Sequence, residues 1–362
     1  MYPALAVLQA LKRIVKDLDP DQQLEVLWVG GSQGMEVEIV ELAGVTFEGV
    51  DSAGVHGVGL RALPGNITQL SRGYQQSKHI LSRYQPEVML FTGGYVAVPM
   101  ALAGRRYRSL LYVPDIEPGL ALKTIARFAD RIALTAVDSV KFFADPTKAI
   151  VTGYPTRPDL SEWKRETAIE VFGLSADLPT LLVFGGSKGA RSINMALLPV
   201  LESLLKTMQI IHISGQLDWQ VVQSKMDQIP QDLKPRYRAY PYLHDQMGAA
   251  LAGADLALSR AGASTLGEFP AFGLPAILVP YPHAWRYQYV NASYLAEKGA
   301  AVVIVDQQLP DLLQPTVSEL MKDRPKLKEM NQAMRALAKP EAAAHIAQIL
   351  LDMAGGSQQE RM

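Results

Sequence analysis

Short runs of apolar residues alternate with amphipathic helical patterns along almost the whole chain. In the first half the runs lie at 24–29, 88–91, 110–113, 132–134 and 149–152. In the second half they lie at 180–184, 209–213, 237–240, 256–259, 276–279 and 301–305. Apolar strands without polar alternation, separated by helices, are typical of parallel sheets covered on both faces. The pattern predicts two doubly wound, Rossmann-like α/β domains facing a cleft, with ligands beyond the carboxyl ends of the strands.

The two series of strands meet in a polar stretch that contains Pro155 and Pro158. We therefore expect one domain over 1–154, a second over 155–338, and a C-terminal helix within 339–362 that packs back on the first. The second domain opens with a strand, a glycine loop and a helix, whereas the first opens directly with a helical pattern over residues 2–15. A doubly wound domain normally has its first strand at the sheet centre. In the sequence as it stands, we expect the first domain to lack that strand and its glycine loop.

Composition narrows the class of protein. The chain has 362 residues, enough for two domains, and 48% of them are apolar against 20% charged, which excludes disorder as the main state. The net charge of −1 gives no electrostatic reason to expect nucleic acid as a partner. The absence of cysteine excludes disulfides and thiolate catalysis. No apolar run of the sequence is long enough to span a bilayer.

The most informative segment follows the apolar run 256–259 and reads RAGASTLGEF. Arg260 and Gly262 form a turn, and Ser264 and Thr265 start a helix whose first amide groups have no intrahelical acceptor. Such a helix start favours an anionic group. Glu268 lies one helical turn beyond Ser264 and is suited to accept hydrogen bonds from sugar hydroxyls. Phosphate at one end and a diol at the other predict a nucleotide sugar; the alternative is an ordinary capped helix.

A second glycine-rich segment, GGSKGAR at 185–191, also follows an apolar run and opens a helix. Gly186 and Gly189 permit close backbone approach, and the Ser187 hydroxyl can donate to a phosphate oxygen. The spacing matches neither a Walker loop nor a GxGxxG dinucleotide fingerprint. Together with the segment around Glu268, it predicts a diphosphate-binding site at one edge of the second sheet.

The first domain has a similar turn at 91–99, with Gly93, Gly94 and Tyr95. It is equally compatible with an acceptor diphosphate and with a tight strand-to-helix turn. Nearby basic residues form either a rim that meets anionic lipid or a solvated charge cluster: Lys78, Arg83, Arg105, Arg106 and Arg108.

No metal or cofactor is expected. Asp17 and Asp19 match a bare DxD pattern, but they lie between a helix and the following strand, at the wrong end of the sheet for a site. The histidines include His56 in a glycine-rich loop and His244 at a strand end, and none has an oriented partner that would identify a catalytic triad.

These segments together resemble the MurG-type family of bacterial peptidoglycan synthesis, over nearly the whole chain and most strongly in the second domain. GGSKGAR is similar to the family's GGSxGAR loop, and the segment around Glu268 to its RxGAxTxxE element. The resemblance implies a GT-B fold and places Glu268 on the ribose hydroxyls. RYQYVN at 286–291 resembles a motif that implies Gln288 and Asn291 on the donor sugar. GYPTR at 153–157 resembles a hinge whose arginine, Arg157, faces the donor.

The first domain departs from the family. YPALA at 2–6 matches, but the GGTGGH loop that carries the family's proposed general base is not in the sequence as it stands. The family's HEQN tetrad is replaced by Tyr112, Val113, Pro114 and Asp115. The catalytic base is therefore not assigned, and the candidates are His56, Asp115 and His244.

The resemblance implies a transferase that moves N-acetylglucosamine from UDP-N-acetylglucosamine to lipid-linked muramoyl-pentapeptide, inverting and metal-independent, at the cytoplasmic face of the bacterial membrane. Its expected partners are an undecaprenyl-linked acceptor, an anionic membrane surface and other cell-wall synthesis proteins. Two alternatives stay open. One is a related transferase that acts on another lipid acceptor, and the other is a nucleotide-sugar-binding paralogue without turnover.

Overall fold

The computed structural model describes residues 1–31, 36–52, 63–94, 96–186, 189–243, 245–283 and 286–359. Its strands are β1 (Leu27–Gly31), β2 (Thr46–Val50), β3 (Val88–Phe91), β4 (Arg108–Val113), β5 (Arg131–Leu134), β6 (Ala149–Val151), β7 (Thr180–Phe184), β8 (Gln209–Ile213), β9 (Tyr237–Tyr240), β10 (Leu256–Ser259), β11 (Ala276–Leu278) and β12 (Ala301–Val303). Its α-helices are α1 (Tyr2–Leu18), α2 (Glu36–Leu42), α3 (Leu63–Tyr84), α4 (Ala97–Ala103), α5 (Leu120–Ile125), α6 (Arg165–Phe172), α7 (Arg191–Leu205), α8 (Trp219–Asp227), α9 (Met247–Gly253), α10 (Glu268–Phe272), α11 (Tyr287–Glu297), α12 (Leu309–Lys322), α13 (Arg324–Ala336) and α14 (Ala342–Gln359). Short 3-10 turns lie at Val137–Phe142, Pro146–Lys148, Pro158–Glu162, Gln216–Asp218, Lys234–Arg236, Ala263–Leu266 and Asp306–Gln308.

The chain forms two compact units. Unit 1 comprises Met1–Thr156 and Pro340–Met362, and unit 2 comprises Arg157–Lys339. Every strand pair in the described ranges is parallel. The prediction of doubly wound α/β domains from the alternating pattern is therefore confirmed.

Unit 2 contains one six-stranded sheet with the order β12-β11-β10-β7-β8-β9. Counted within the unit, this is the order of a Rossmann sheet, in which the first and fourth strands are neighbours at the switch point. The central strands β7, β8 and β10 are almost completely buried, because α7 and α12 pack together over the sheet and add apolar side chains such as Leu197 and Leu313 to the core. This burial explains why these strands read as continuous apolar runs.

Unit 1 contains two parallel sheets among its described residues, the pair β1-β2 and the four-stranded sheet β3-β4-β5-β6. Helix α14 returns to this unit from the end of the chain and packs against α1 and β3. The first strand begins at Leu27, three residues later than the predicted run, because its partner β2 starts only at Thr46. The sequence pattern missed β2 itself, since Glu48 and Gly49 interrupt its apolar residues.

Among the helices that the structure describes, none combines the length and the apolar character that crossing a bilayer requires.

Candidate functional site

Strands β7 and β10 of unit 2 end side by side at the carboxyl edge of the sheet. Their last residues, Phe184 and Ser259, are direct partners in the register. The chain continues from β7 into the glycine loop 185–190 and from β10 into the turn 260–262. The register therefore brings together the two segments from which the sequence predicts nucleotide-sugar binding.

The glycine loop has a backbone that requires glycine at three positions. Gly186 and Gly189 have φ angles of +85° and +76°. A Cβ at Gly185 would lie 2.2 Å from the backbone nitrogen of Ala190, and a Cβ at Gly189 would lie 2.2 Å from the carbonyl oxygen of Ser214. The Gly189 N–H also donates to the Gly186 carbonyl at 2.9 Å. Gly186 and Gly189 are thus joined by a hydrogen bond, and Gly189 packs against the chain that follows β8.

Helix α7 begins directly after this loop. Its N-cap residue is Ala190, whose side chain offers no cap hydrogen bond to the first turn. An uncapped start of a 15-residue helix presents amide N–H groups that favour an anion. Ser187 and Lys188 lie outside the described residues, so the phosphate contact of Ser187 stays a prediction.

The segment after β10 differs from the single helix that its sequence suggests. A 3-10 turn at Ala263–Leu266 is followed by α10, which begins only at Glu268. Pro270 explains the break, because it has no N–H to donate to the Leu266 carbonyl and its ring would clash with that carbonyl in a continuous α-helix. The anion binding that the sequence predicts at this segment stays a prediction, and such short helical pieces would add little helix dipole to it.

The turn after β10 is held closed by a threonine. Thr265 is buried, and its hydroxyl donates to the Gly262 carbonyl at 2.7 Å. A Cβ built on Gly262 would meet no atom within 4 Å. Thr265 therefore shapes the turn, while the backbone at Gly262 borders open space.

Glu268 is the first residue of α10 and has a half-buried side chain that accepts a hydrogen bond from Ser264. Burial raises the pKa of Glu268 to about 7; the Arg157 charge and the Ser264 hydrogen bond oppose this shift, and the Asp159 charge adds to it. Arg157 is itself 3.8 Å from Asp159. The structure thus brings Arg157, Ser264 and Glu268 together, with a carboxyl group that changes charge near neutral pH.

Arg260 is engaged by groups from neighbouring elements. Its Nη1 donates to the Asp306 carboxylate and, at 3.1 Å, to the Val279 carbonyl, and its Nη2 donates to Ser192 Oγ at 2.7 Å. The guanidinium also lies 5.2 Å from the centre of the Tyr281 ring. The Arg260 side chain is only 10% exposed. Its charge is therefore balanced by Asp306, and the donor contact predicted for Arg260 stays a prediction.

Gln288 and Asn291 lie on α11 and have different environments. The Oε1 atom of Gln288 accepts the backbone N–H of Tyr281 at 2.8 Å, so the half-buried Gln288 closes the loop after β11. Asn291 has no exposed surface, and its Nδ2 donates to the Ala261 carbonyl at 3.1 Å. Asn291 therefore supports the backbone of the turn 260–262, and the sugar contact that the motif implied for it stays a prediction.

In unit 1, Gly93 and Gly94 follow β3 with φ angles of +113° and +86°. A Cβ on Gly94 would meet no atom within 4 Å. The two glycines therefore have backbone angles that a residue with a side chain rarely adopts, and the choice between a simple turn and a diphosphate site stays a prediction. Tyr95 lies outside the described residues.

Only one candidate for the catalytic base can be placed. Asp115 lies just beyond the end of β4, at the carboxyl edge of the unit 1 sheet, whereas His56 and His244 lie outside the described residues. Tyr112 is almost completely buried, and its hydroxyl is 3.0 Å from Thr135 Oγ1. Burial raises the pKa of Tyr112 well above its ordinary value, so this phenol stays protonated at neutral pH.

Comparison with known proteins agrees with this geometry. The family models for the glycosyltransferase family 28 N-terminal and C-terminal domains match residues 1–134 and 180–347. A UDP-N-acetylglucosamine--N-acetylmuramyl-(pentapeptide) pyrophosphoryl-undecaprenol N-acetylglucosamine transferase of Roseiflexus sp. (strain RS-1) is 37% identical, over 97% of this chain and 91% of the relative. A protein of the same name from Desulforamulus reducens is 35% identical, over 96% and 93%. The crystal structure of Acinetobacter baumannii MurG has a TM-score of 0.75 and 25% identity, over 97% of this chain and 95% of that one. The chain belongs to the MurG-type family of glycosyltransferases.

Family membership confirms the resemblance and the GT-B fold that the sequence motifs implied. In this MurG-type chain, most of the predicted donor-site residues that the structure describes lie at or next to the carboxyl edge of the unit 2 sheet: Gly186, Gly189, Arg260, Gly262, Ser264, Thr265, Glu268, Gln288 and Asn291. Within the described ranges, no cluster of His, Asp and Glu side chains could hold a metal ion.

The sequence of this MurG-type chain did not reveal Ser192 and Asp306 as parts of the site. Ser192 Oγ donates to Asp306 Oδ1 at 2.7 Å, and both contact Arg260. Asp306 follows β12 at the same carboxyl edge as the other site residues. The available signal was that Asp306 directly follows the apolar run 301–305.

A buried polar network behind the glycine loop was also missed. Asn194 Nδ2 donates to the Ser214 carbonyl at 2.9 Å and to Asp218 Oδ2 at 2.8 Å, so its Oδ1 accepts from His212 Nε2 at 2.9 Å. The other ring nitrogen of His212 then accepts from the Tyr237 hydroxyl at 2.6 Å. Burial lowers the pKa of His212 to about 3, although the Asp218 charge opposes this. The histidine is therefore neutral and fixed in one tautomer, and it anchors α7 to β8.

Proposed function

We propose that this chain transfers N-acetylglucosamine from UDP-N-acetylglucosamine to undecaprenyl-diphospho-N-acetylmuramyl-pentapeptide, with inversion and without a metal or cofactor. One observation carries the donor half of the proposal: the register of β7 and β10 sets the glycine loop beside the turn that leads to Glu268. This edge offers amide donors for a diphosphate and a carboxylate for a diol. The names of the relatives at 35–37% identity support the reaction and the acceptor.

In the proposed complex, UDP-N-acetylglucosamine lies along the carboxyl edge of the unit 2 sheet. Amide groups of the loop 185–190 and the hydroxyl of Ser187 bind the diphosphate, and Glu268 accepts from the ribose hydroxyls. Gln288 and Arg157 face the sugar. When the bond between the sugar C1 and the UDP oxygen breaks, its electron pair stays on UDP, and the amide donors stabilise that charge.

The acceptor hydroxyl forms the new bond to C1 and loses its proton to a base. We place this base among His56, Asp115 and His244, and the acceptor diphosphate at Gly93, Gly94 and Tyr95. Asp115→Asn tests the one candidate among the described residues. If Asp115 is the base, the variant loses transfer while its affinity for UDP-N-acetylglucosamine is unchanged. Normal transfer by Asp115→Asn leaves the role to one of the two histidines.

We also propose that the protein is a peripheral membrane protein, which binds the cytoplasmic surface of the bacterial membrane through unit 1. Lys78 on α3 and Arg105 and Arg106 after α4 are exposed, and α3 packs against α4. Arg83 is exposed as well but pairs with Glu48, and Arg108 donates to the Met353 carbonyl at 2.8 Å. In the trio, Lys78 and Arg105 lie over the rings of Tyr74 and Phe128, contacts that do not neutralise their charges, so the trio is the part proposed to meet anionic lipid.

Sedimentation with vesicles tests the membrane proposal. The protein is expected to pellet with vesicles that contain phosphatidylglycerol and to stay in solution with pure phosphatidylcholine. Replacing Lys78, Arg105 and Arg106 by glutamine should remove this binding and leave donor affinity unchanged. Equal pelleting of the triple variant would reject this surface.

Calorimetric titration with UDP-N-acetylglucosamine tests the donor site. Glu268→Ala removes a charge-assisted hydrogen bond, so its Kd should rise roughly ten- to a hundredfold. Glu297→Ala, an exposed position on α11, is the matched control and should bind as the wild type does. Unchanged affinity of Glu268→Ala would remove this carboxylate from the site.

A further inference from the structure

Ser192, Arg260 and Asp306 form a closed triangle of hydrogen bonds, which we call the clasp. Ser192 Oγ accepts from Arg260 Nη2 at 2.7 Å and donates to Asp306 Oδ1 at 2.7 Å. Arg260 Nη1 donates to the same Asp306 oxygen. The Arg260 and Asp306 side chains are 10% and 18% exposed, so the ion pair is shielded from solvent and is stronger than a surface pair.

The clasp joins elements that are far apart in sequence. Ser192 is the second residue of α7, directly after the glycine loop, and Arg260 is the first residue after β10. Asp306 begins the 3-10 turn after β12, which lies two strands from β10 in the sheet. The clasp therefore sets the distance between the glycine loop and the turn 260–262.

Arg260 extends the clasp to the loop after β11. Its guanidinium packs on the ring of Tyr281, whose backbone N–H donates to Gln288. A shift of Arg260 would displace Tyr281 and, through that hydrogen bond, the side chain of Gln288. The ion pair between Arg260 and Asp306 thus influences two parts of the proposed donor site. One is the glycine loop, proposed to bind the diphosphate, and the other is Gln288, proposed to face the sugar.

We propose that Asp306 is a positioning residue for donor binding: it holds Arg260 and Ser192 so that the glycine loop, the turn 260–262 and Gln288 keep the spacing that UDP-N-acetylglucosamine requires. This inference rests on the proposed donor site. If Asp306 positions these groups, removing its charge should weaken donor binding, which is opposite to the effect expected from charge repulsion alone. A carboxylate beside a diphosphate site repels the ligand, so Coulomb effects alone predict tighter binding when the charge of Asp306 is removed.

The test is titration of UDP-N-acetylglucosamine against four single variants, with thermal unfolding measured for each. Asp306→Asn should weaken donor binding roughly tenfold. A loss of this size is typical when the substituted residue only positions other residues that contact the ligand. Arg260→Lys keeps the positive charge but cannot reach Ser192, Asp306 and Val279 at once, so it should weaken binding to a similar extent. Ser192→Ala should weaken it about threefold, and Ser192→Thr, which keeps the hydroxyl, should restore it.

Asp255→Asn is the control, because Asp255 pairs with Arg165 at 3.1 Å just before β10, at the opposite edge of the same sheet. It should lower stability without changing donor affinity. Unchanged or tighter binding by Asp306→Asn would overturn the inference, as would wild-type binding by Arg260→Lys. If Asp306→Asn does not fold, the contrast between Ser192→Ala and Ser192→Thr decides instead, and equal affinities would overturn it. Failure of the wild-type protein to bind would contradict the proposed function itself, a separate outcome.

Discussion

Gly189 packs so closely against the backbone of Ser214 that a Cβ at Gly189 would lie 2.2 Å from the Ser214 carbonyl oxygen. That carbonyl also accepts the side-chain amide of Asn194. The glycine loop and the helix that follows it are therefore held by one backbone group at the end of β8. This arrangement fixes the backbone of Gly189 before any ligand arrives, and a preorganised backbone lowers the ordering cost of binding.

Gly189→Ala should abolish donor binding. The new methyl group would clash with the Ser214 carbonyl, and the φ of +76° adds a left-handed strain of about 1–2 kcal/mol for a residue with a side chain. The loop must move, and its amide donors move with it. Titration with UDP-N-acetylglucosamine is expected to show a Kd at least roughly a hundredfold higher.

Gly186→Ala is the matched comparison. Its φ of +85° carries similar strain, but a Cβ there would meet no atom within 4 Å. It should lose stability in thermal unfolding and retain more donor affinity than Gly189→Ala. Equal effects of the two variants would mean that strain, and not the contact with Ser214, controls the loop.

Donor binding should depend on pH through Glu268. The pKa of its carboxyl group is about 7 in the ligand-free protein, and the ribose hydroxyls are best accepted by the ionised form. Below pH 7 the group must lose a proton on binding, so the Kd should rise by up to about tenfold per pH unit. Above pH 8 it should level off.

Titrations between pH 5.5 and 8.5 in buffers of different ionisation enthalpy measure this proton release directly. Glu268→Gln cannot ionise, so it should bind weakly at every pH and show no proton release linked to this site. A wild-type affinity that is constant from pH 6 to 8 would contradict the role of this carboxylate.

The carboxyl-edge rule for parallel sheets, applied to the sequence, located the segments that hold Gly186, Gly262 and Glu268. These positions follow from local patterns: a buried strand, a glycine turn and a polar residue at fixed spacing. The sequence could not show that Arg260 would face Asp306, because that contact depends on the order of β10, β11 and β12 in the sheet. The sequence also missed β2, because Glu48 and Gly49 interrupt its apolar residues and its burial is only partial.

The buried His212 should make unit 2 sensitive to acid. Its pKa is about 3 in the folded protein and about 6.5 in an unfolded chain. Because the folded pKa is the lower one, its contribution to stability is complete above pH 6.5 and is lost as the pH falls towards 3. The free energy of unfolding should fall by up to about 1.4 kcal/mol per pH unit in that window from this residue alone.

Chemical denaturation of wild type and His212→Gln between pH 4 and 7 measures this contribution. The variant should be less stable at pH 7, because it disturbs the contacts with Asn194 and Tyr237, but its stability should depend less on pH. His79→Gln, at an exposed position on α3, should keep the wild-type slope. A His212→Gln slope that equals the wild-type slope would assign the acid sensitivity to other groups.

The pair β1-β2 of unit 1 should open more readily than the centre of unit 2. Four of the five residues of β1 are only partly buried, whereas all five residues of β8 are buried. A two-stranded sheet also has few neighbours to hold it, and local opening needs least free energy where buried apolar contacts are few.

Native-state hydrogen exchange, read by mass spectrometry on peptides over 27–31, 46–50 and 209–213, is expected to show faster exchange in the first two. Addition of UDP-N-acetylglucosamine should slow exchange near the glycine loop of unit 2 and leave the β1-β2 peptides unchanged at early times. Protection of β1-β2 equal to that of β8 would show that packing against the rest of unit 1 compensates for the small sheet.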